Sequence, residues 1–213
     1  MKKPRCILFD CDGVLVDSET IGNQILLEMA GEYGFQMTNE EAQHHFNGKS
    51  LKSSFEYIEN KIQNKLPSTF EADYRQRSFE AFRMNLKAVE GVKEFLETLD
   101  IPFCVASSGP VEKIRLNLTS TGLISFFEGA IFSSYEINSW KPEPTIFLHA
   151  ASQMGFTPQE CIVIEDSVSG VVAGITGGFM VYGLANDYNA TKLQEAGALT
   201  FRSYKELNKM LKL

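Results

Sequence analysis

No two cysteines in this chain stand at CxxC spacing, and the four present, Cys6, Cys11, Cys104 and Cys161, show no other zinc-ligand pattern. Three of them lie in apolar, strand-like runs, where a free thiol acts as a small hydrophobe. A disulfide framework is not needed at 213 residues, and a reducing compartment fits. No apolar run approaches the roughly 18 residues of a membrane-crossing helix. Lysines and arginines form no extended run, and the net charge is −7, which argues against nucleic acid or anionic membrane as the main partner. The opening "MKKPRCILFDCDG" has the basic start of a signal peptide, but acids interrupt its apolar run at once. It reads as the first strand of a cytoplasmic protein. Two N-x-T sequons, at Asn117 and Asn189, carry little meaning without secretion.

What is present is a repeated pattern. The runs "CILFD" (6–10), "PFCVASS" (102–108), "GAIFSS" (129–134) and "CIVIED" (161–166) are strand-length, apolar throughout, and end in Asp, Glu or Ser. Continuous apolar strands are buried on both faces, as in a parallel sheet covered by helices. Helical patterns at about 90–99, 111–121, 143–154 and 167–176 alternate with them. That alternation predicts an α/β fold with a Rossmann-like parallel sheet, whose ligand crevice lies beyond the carboxyl ends of the strands. Further strands are expected at 179–184 and 198–201, with a closing amphipathic helix. Residues 17–87 hold no strand run, only helical patterns such as "ETIGNQILLEMAGEYG" and "LKSSFEYIENKI". They predict an inserted helical cap, with residues 1–16 and 88–213 forming the core and hinges near 16–18 and 87–91.

The polar strand endings are the candidates for chemistry. Asp10 and Asp12 stand one residue apart, and Glu165-Asp166 end a later strand. Like charges at that spacing need solvent, a shared proton or a cation. Clustered carboxylates suit Mg²⁺, but acids also gather at sheet edges by chance, and both readings stay open here. An EF-hand is excluded, since Gly13 would fall at loop position 4 rather than 6 and position 12 would be Ile21. Ser107 and Ser108, ahead of Gly109-Pro110, are either a helix cap or the start of an anion site. Lys141 in "SWKPEP" is a surface charge or a fixed functional lysine.

Taken in order, "FDCDGVLVDSE", "VASSG", "KPEP" and "VIEDSVSG" resemble the four motifs of the haloacid-dehalogenase superfamily of phosphotransfer enzymes. The resemblance spans nearly the whole chain, because the helical insertion sits where the family carries a cap. It implies that Asp10 is a nucleophile forming an aspartyl-phosphate and that Asp12 is the general acid and base. Mg²⁺ would be held by Asp10, Asp166 and the Asp12 carbonyl, with Glu165 supporting the metal from behind or orienting Lys141. Ser107, the Ser108 N–H and Lys141 would bind the transferred phosphoryl oxygens. The second aspartate favours phosphate esters over halides, because the dehalogenases of the family resemble one another in lacking it.

The cap also resembles that of β-phosphoglucomutase, yet the mutase's cap histidine and arginine correspond here to Gly22 and Leu51. "FSSYEINSWKPEPTIFLHAA" and "SSGP" look more like bacterial sugar-phosphate phosphatases of the 6-phosphogluconate type. The expectation is therefore a Mg²⁺-dependent phosphatase acting on a small phosphorylated metabolite, as a monomer or weak dimer. A hexose-phosphate mutase and a non-catalytic phosphometabolite-binding protein are the alternatives. In the cap, Lys49 of "FNGKS" is either a solvated lysine or the partner of a substrate carboxylate; Asn23, Glu19 and Gln24 either face the site or lie on an exposed helix side. Cys11 reads as a turn residue and His149 as a helix-packing one.

Overall fold

A computed structural model describes residues 3–46 and 51–212. Six parallel strands form one sheet: β1 (Cys6–Phe9), β2 (Phe103–Ser107), β3 (Ile131–Ser133), β4 (Cys161–Glu165), β5 (Met180–Leu184) and β6 (Leu199–Phe201). Their order is β3-β2-β1-β4-β5-β6. The chain builds outward from β1 to β3, then crosses to the other side of β1 for β4. The reversal between β1 and β4 is the place where an open α/β sheet leaves a crevice at its carboxyl edge.

The alternation of side chains along each strand makes two cores. Ile7 and Phe9 of β1 and Ile162 and Ile164 of β4 face a cluster built with α5 (Val92–Glu97), α6 (Val111–Ser120) and α11 (Tyr204–Leu211). Cys6, Leu8, Cys161 and Val163 face the opposite cluster, packed by α8 (Thr145–Gln153), α9 (Val168–Thr176) and α10 (Ala190–Glu195). Burying each such large apolar side chain contributes about 1.5–3 kcal/mol, which is why strands with no polar face are stable here. Phe9 meets Phe95, Phe103 and Phe127 edge-on, with ring centroids 6.0–6.3 Å apart. All four cysteines are free and buried, as small apolar groups.

The third strand is shorter than its apolar run suggests. Ser133 ends it by capping α7 (Ser134–Ile137), its hydroxyl accepting from Tyr135 N at 3.1 Å while Glu136 accepts from Ser133 N. The helix α10 is likewise absent from the apolar pattern, because only Leu193 on it is buried.

Between β1 and α5 stand α1 (Ser18–Gly31), α2 (Asn39–Phe46), α3 (Leu51–Ile62) and α4 (Phe70–Asn85). They enclose a third apolar cluster of their own, including Leu26, Met29, Phe46, Ile58 and Phe70. The two linkers run side by side: Asp17 N donates to Lys87 O at 3.0 Å, and Val89 N donates to Leu15 O at 3.0 Å. Among the described residues, no helix is long and apolar enough to cross a membrane.

Candidate active site

The loops after β1, β2 and β4 meet beside α8 in a cavity of about 390 Å³, lined by Asp10, Asp12, Ser107, Ser108, Lys141 and Asp166, among others. At its centre is Lys141, whose side chain is only 5% exposed. Its Nζ donates to Asp10 Oδ1 and to Glu165 Oε1, each at 2.5 Å. A buried ammonium needs such partners, since desolvation alone would favour its neutral form. Here burial pulls the lysine down, but Asp10 and Glu165 outweigh it and hold Lys141 charged. The surface-lysine reading of Lys141 is thereby excluded.

Glu165 is a structural bracket. Its second oxygen accepts from the N–H groups of Asp166 at 3.0 Å and Ser167 at 2.9 Å, and from the Ser167 hydroxyl at 2.9 Å. The carboxylate thus faces Lys141 and the turn after β4, which favours the lysine-orienting half of its expected role. It fits because α9 presents Gly170: a Cβ there would come within 1.8 Å of Glu165 Oε1. Gly170→Ala is expected to cost about 1–3 kcal/mol through overpacking. It should also lower activity at this site, because Glu165 must shift relative to Lys141. A urea melt and a turnover assay on the variant check this; a wild-type result in both would refute the close fit.

Asp10 and Asp166 carry the cost of this burial. The Asp10 carboxyl is pushed up to about 7, mainly by burial and then by Glu165 and Asp12, against the pull of Lys141. The Asp166 carboxyl is also raised well above its ordinary value by burial, then by Glu19, Glu165 and Asp10. Its loop touches the first one closely: Gly13 has φ +76°, and a Cβ on it would lie 2.0 Å from Asp166 Oδ2. One buried and one partly buried carboxyl, with other acids close by, are the donor set a hard dication stabilises. Among the described residues, no three His, Cys, Asp or Glu side chains already stand gathered as a metal cluster. Two carboxylates and a backbone carbonyl are compatible with that, because Mg²⁺ keeps waters and takes substrate phosphate as further ligands.

Asp12 is held differently. Ser18 Oγ at 2.6 Å and Asn117 Nδ2 at 3.1 Å donate to its Oδ1, and Lys113 Nζ donates to its Oδ2 at 2.6 Å. Burial pushes this carboxyl up, but Lys113 and Ser18 more than offset it, so Asp12 sits below the usual carboxylate range. Neighbouring acids thus have opposite environments, one strained upward and one tied down.

Ser107 is buried at the end of β2, its Oγ accepting from Gly109 N at 3.1 Å. It does not cap α6, whose cap is Pro110 without a side-chain bond. Ser133 Oγ donates to Gly109 O at 2.7 Å and fixes the turn from behind. Cys11 is fully buried, and burial, then Asp12 and Asp10, raise its thiol well above normal, which suits an inert turn residue. His149 packs edge-on against Phe132 at 5.7 Å, as a helix-packing residue.

A second cavity, about 240 Å³, opens from Asp12 into the helical insertion. Asn23 lines it, as does Glu19, which also borders the first cavity. Gln24 does not reach either; it faces solvent and donates to Glu28 at 3.1 Å, one turn along α1. Lys49 lies outside the described residues. The residues that pattern reading missed are Ser18, Lys113, Asn117 and Gly170. The signal available was weak: Lys113 and Asn117 are four apart on α6, one helix turn behind "SSGP". Asn117 is fully buried with its amide on Asp12, so its sequon is a packing position.

Comparison with known proteins gives one family. Residues 7–183 match the family described as haloacid dehalogenase-like hydrolase. The chain is 31% identical to 6-phosphogluconate phosphatase of Escherichia coli (strain K12), over 100% of this chain and 96% of that one. It is 29% identical to the phosphorylated carbohydrates phosphatase of Thermotoga maritima, over 98% of each. A crystal structure of a HAD family hydrolase from Deinococcus radiodurans R1, with bound phosphate and sodium, has TM-score 0.85 and 30% identity, over 99% of this chain and 96% of that one.

Proposed function

We propose that this chain, which belongs to the haloacid dehalogenase-like hydrolase family and is a phosphatase, splits a sugar or sugar-acid phosphate with Mg²⁺ through an aspartyl-phosphate on Asp10. Residues 17–87 serve as the cap over the leaving group. The observation that carries the reading is the Lys141 bridge, with Asp10 and Glu165 each 2.5 Å from one buried ammonium at the sheet's switch point.

In the first step an Asp10 carboxylate oxygen attacks phosphorus, the ester P–O bond breaks, and Asp12 delivers a proton to the departing oxygen. In the second, water attacks the aspartyl-phosphate, Asp12 takes its proton, and the acyl P–O bond breaks to free Asp10 and phosphate. Ser107, the Ser108 N–H and Lys141 hold the equatorial oxygens, where charge builds. Asp10, Asp166 and the Asp12 carbonyl would hold Mg²⁺, which when bound neutralises charge as an anionic nucleophile meets an anionic phosphate. A solved relative with phosphate and sodium supports an anion and a cation sharing such a site.

The substrate follows from the relatives named for 6-phosphogluconate and phosphorylated carbohydrates. A mutase fits the cap less well. Gly22 occupies the mutase's histidine position, and a Cβ there would lie 2.9 Å from the Tyr74 hydroxyl. That hydroxyl donates to Gly22 O at 3.4 Å, so any side chain at position 22 would have to displace it.

The test is a panel of phosphorylated metabolites assayed for free phosphate. Release from sugar phosphates with Mg²⁺, abolished by EDTA and restored by Mg²⁺ but not by Ca²⁺, is the expected result; Ca²⁺ is larger and takes looser, higher coordination. Full activity in EDTA would reject the metal's role. Isomerisation of glucose phosphates without release would reject hydrolysis.

A further inference from the structure

We propose that Lys113 is a specificity-determining residue that binds a carboxylate on the leaving group, so that this site takes sugar-acid phosphates ahead of neutral ones. The proposal rests on the phosphatase reading above and adds the recognition element for its substrate class.

The cavity inside the cap opens at Asp12, where a leaving group would emerge, and its walls alternate polar and apolar residues: Asn23, Ser54 and Tyr74 with Leu26 and Phe46. Polar groups of this kind suit the hydroxyls of a polyol chain. Two cations also line it among the described residues, Lys113 and Arg75. Arg75 pairs with Glu71 on its own helix, through Nε at 3.0 Å and Nη2 at 2.8 Å, whereas Lys113 is the cation that touches Asp12. Lys113 reaches in from the core side, with its ammonium 5.8 Å from the centre of the Phe82 ring of α4. Besides Asp12, which Lys113 already pairs, the acid in the wall is Glu19 of α1, whose charge bears on Asp166. An anionic group on the leaving group is therefore repelled from the α1 side and drawn toward α6.

Hydrogen-bond accounting at Asp12 gives the second argument. Asp12 Oδ1 accepts two donors and Oδ2 accepts only Lys113, so the lone pair left on Oδ2, beside the ammonium, is the one open to a leaving-group oxygen. Ser18 and Asn117 are short and buried. Lys113 alone has a long stem, and its side chain is 23% exposed along the cavity. A substrate carboxylate that engages the ammonium is therefore held beside the oxygen that handles the proton, and binding of the acid end and alignment of the leaving group with Asp12 become one event.

A matched pair of substrates tests this. 6-Phosphogluconate and sorbitol 6-phosphate have the same chain and differ at C1, carboxylate against hydroxymethyl. In the full-length protein with Mg²⁺, Lys113→Gln is expected to raise KM for 6-phosphogluconate by about tenfold relative to sorbitol 6-phosphate, the size of one lost charged hydrogen bond. Any loss from a loosened Asp12 is common to both substrates and cancels in that ratio. Lys113→Arg, which keeps the charge, should retain most of the preference, and it carries the test if the glutamine variant folds poorly. Equal losses on both substrates in Lys113→Gln, so that the preference for the acid survives without the ammonium, would overturn the assignment; if the glutamine variant folds poorly, loss of the preference in a folded Lys113→Arg would do so. Wild-type protein that releases phosphate from no substrate would instead overturn the phosphatase reading, and the assignment with it.

Discussion

Asp10→Asn is expected to lower phosphate release from every substrate by about 10⁴-fold or more, because under the proposed mechanism no other group replaces the nucleophile. The same substitution is expected to leave the protein as stable as before, or more so. Asp10 is buried beside Glu165 and Asp12, and burial and those charges already push its carboxyl up to about 7. An amide of the same shape relieves that repulsion, while Lys141 keeps Glu165 as a one-to-one partner at 2.5 Å. Catalytic carboxylates held against their own electrostatics commonly show this opposition of activity and stability. Thermal melts and phosphate assays on one preparation check both halves. Residual turnover above about 1% of wild type would remove Asp10 from the nucleophile's role, since a removed nucleophile leaves far less.

Asp12→Ala separates the two steps. On a sugar phosphate the leaving alkoxide needs a proton, so kcat/KM should fall by about 10²–10⁴-fold, the range of general acid–base catalysis. On p-nitrophenyl phosphate the leaving group departs without one. The variant should then give a burst of nitrophenol equal to the enzyme present, followed by slow turnover, because the second step still lacks the base that takes water's proton. Stopped-flow absorbance measures the burst. Equal losses on sugar and aryl phosphates, with no burst, would deny Asp12 the proton. Removing the carboxylate also leaves Ser18, Lys113 and Asn117 without their shared acceptor, so folding should be confirmed before rates are compared.

Much of this site was legible because its residues punctuate apolar runs. Asp10, Ser107 and Glu165-Asp166 each end a strand buried on both faces, and a polar residue at such a place stands out against its neighbours. Lys141 was a candidate within "SWKPEP", but its near-complete burial between two carboxylates was not foreseeable from that stretch. Gln24 and Asn23 are adjacent on α1 and look alike in sequence; which one turns inward was set by packing against α4. Lys113 and Asn117 were invisible for a related reason. They sit one turn apart beside the apolar stripe of α6, where a lysine and an asparagine ordinarily face water.

The periodicity of apolar residues determined the strands, the helices and the parallel sheet, because burial on both faces leaves its mark in every residue of a strand. The order of the four motifs determined the family. Tertiary structure alone decided which groups share a proton or a charge. The Lys141 bridge joins residues 131 and 24 positions apart, and the Lys113–Asp12 pair joins residues 101 apart. Such contacts are made by the sheet order, with β4 returning to lie against β1, and no local pattern encodes them. The two aspartates of "FDCDG" look equivalent along the chain; only the folded protein gives Asp10 a lysine shared with Glu165 among other acids, and Asp12 a lysine, a serine and an asparagine of its own.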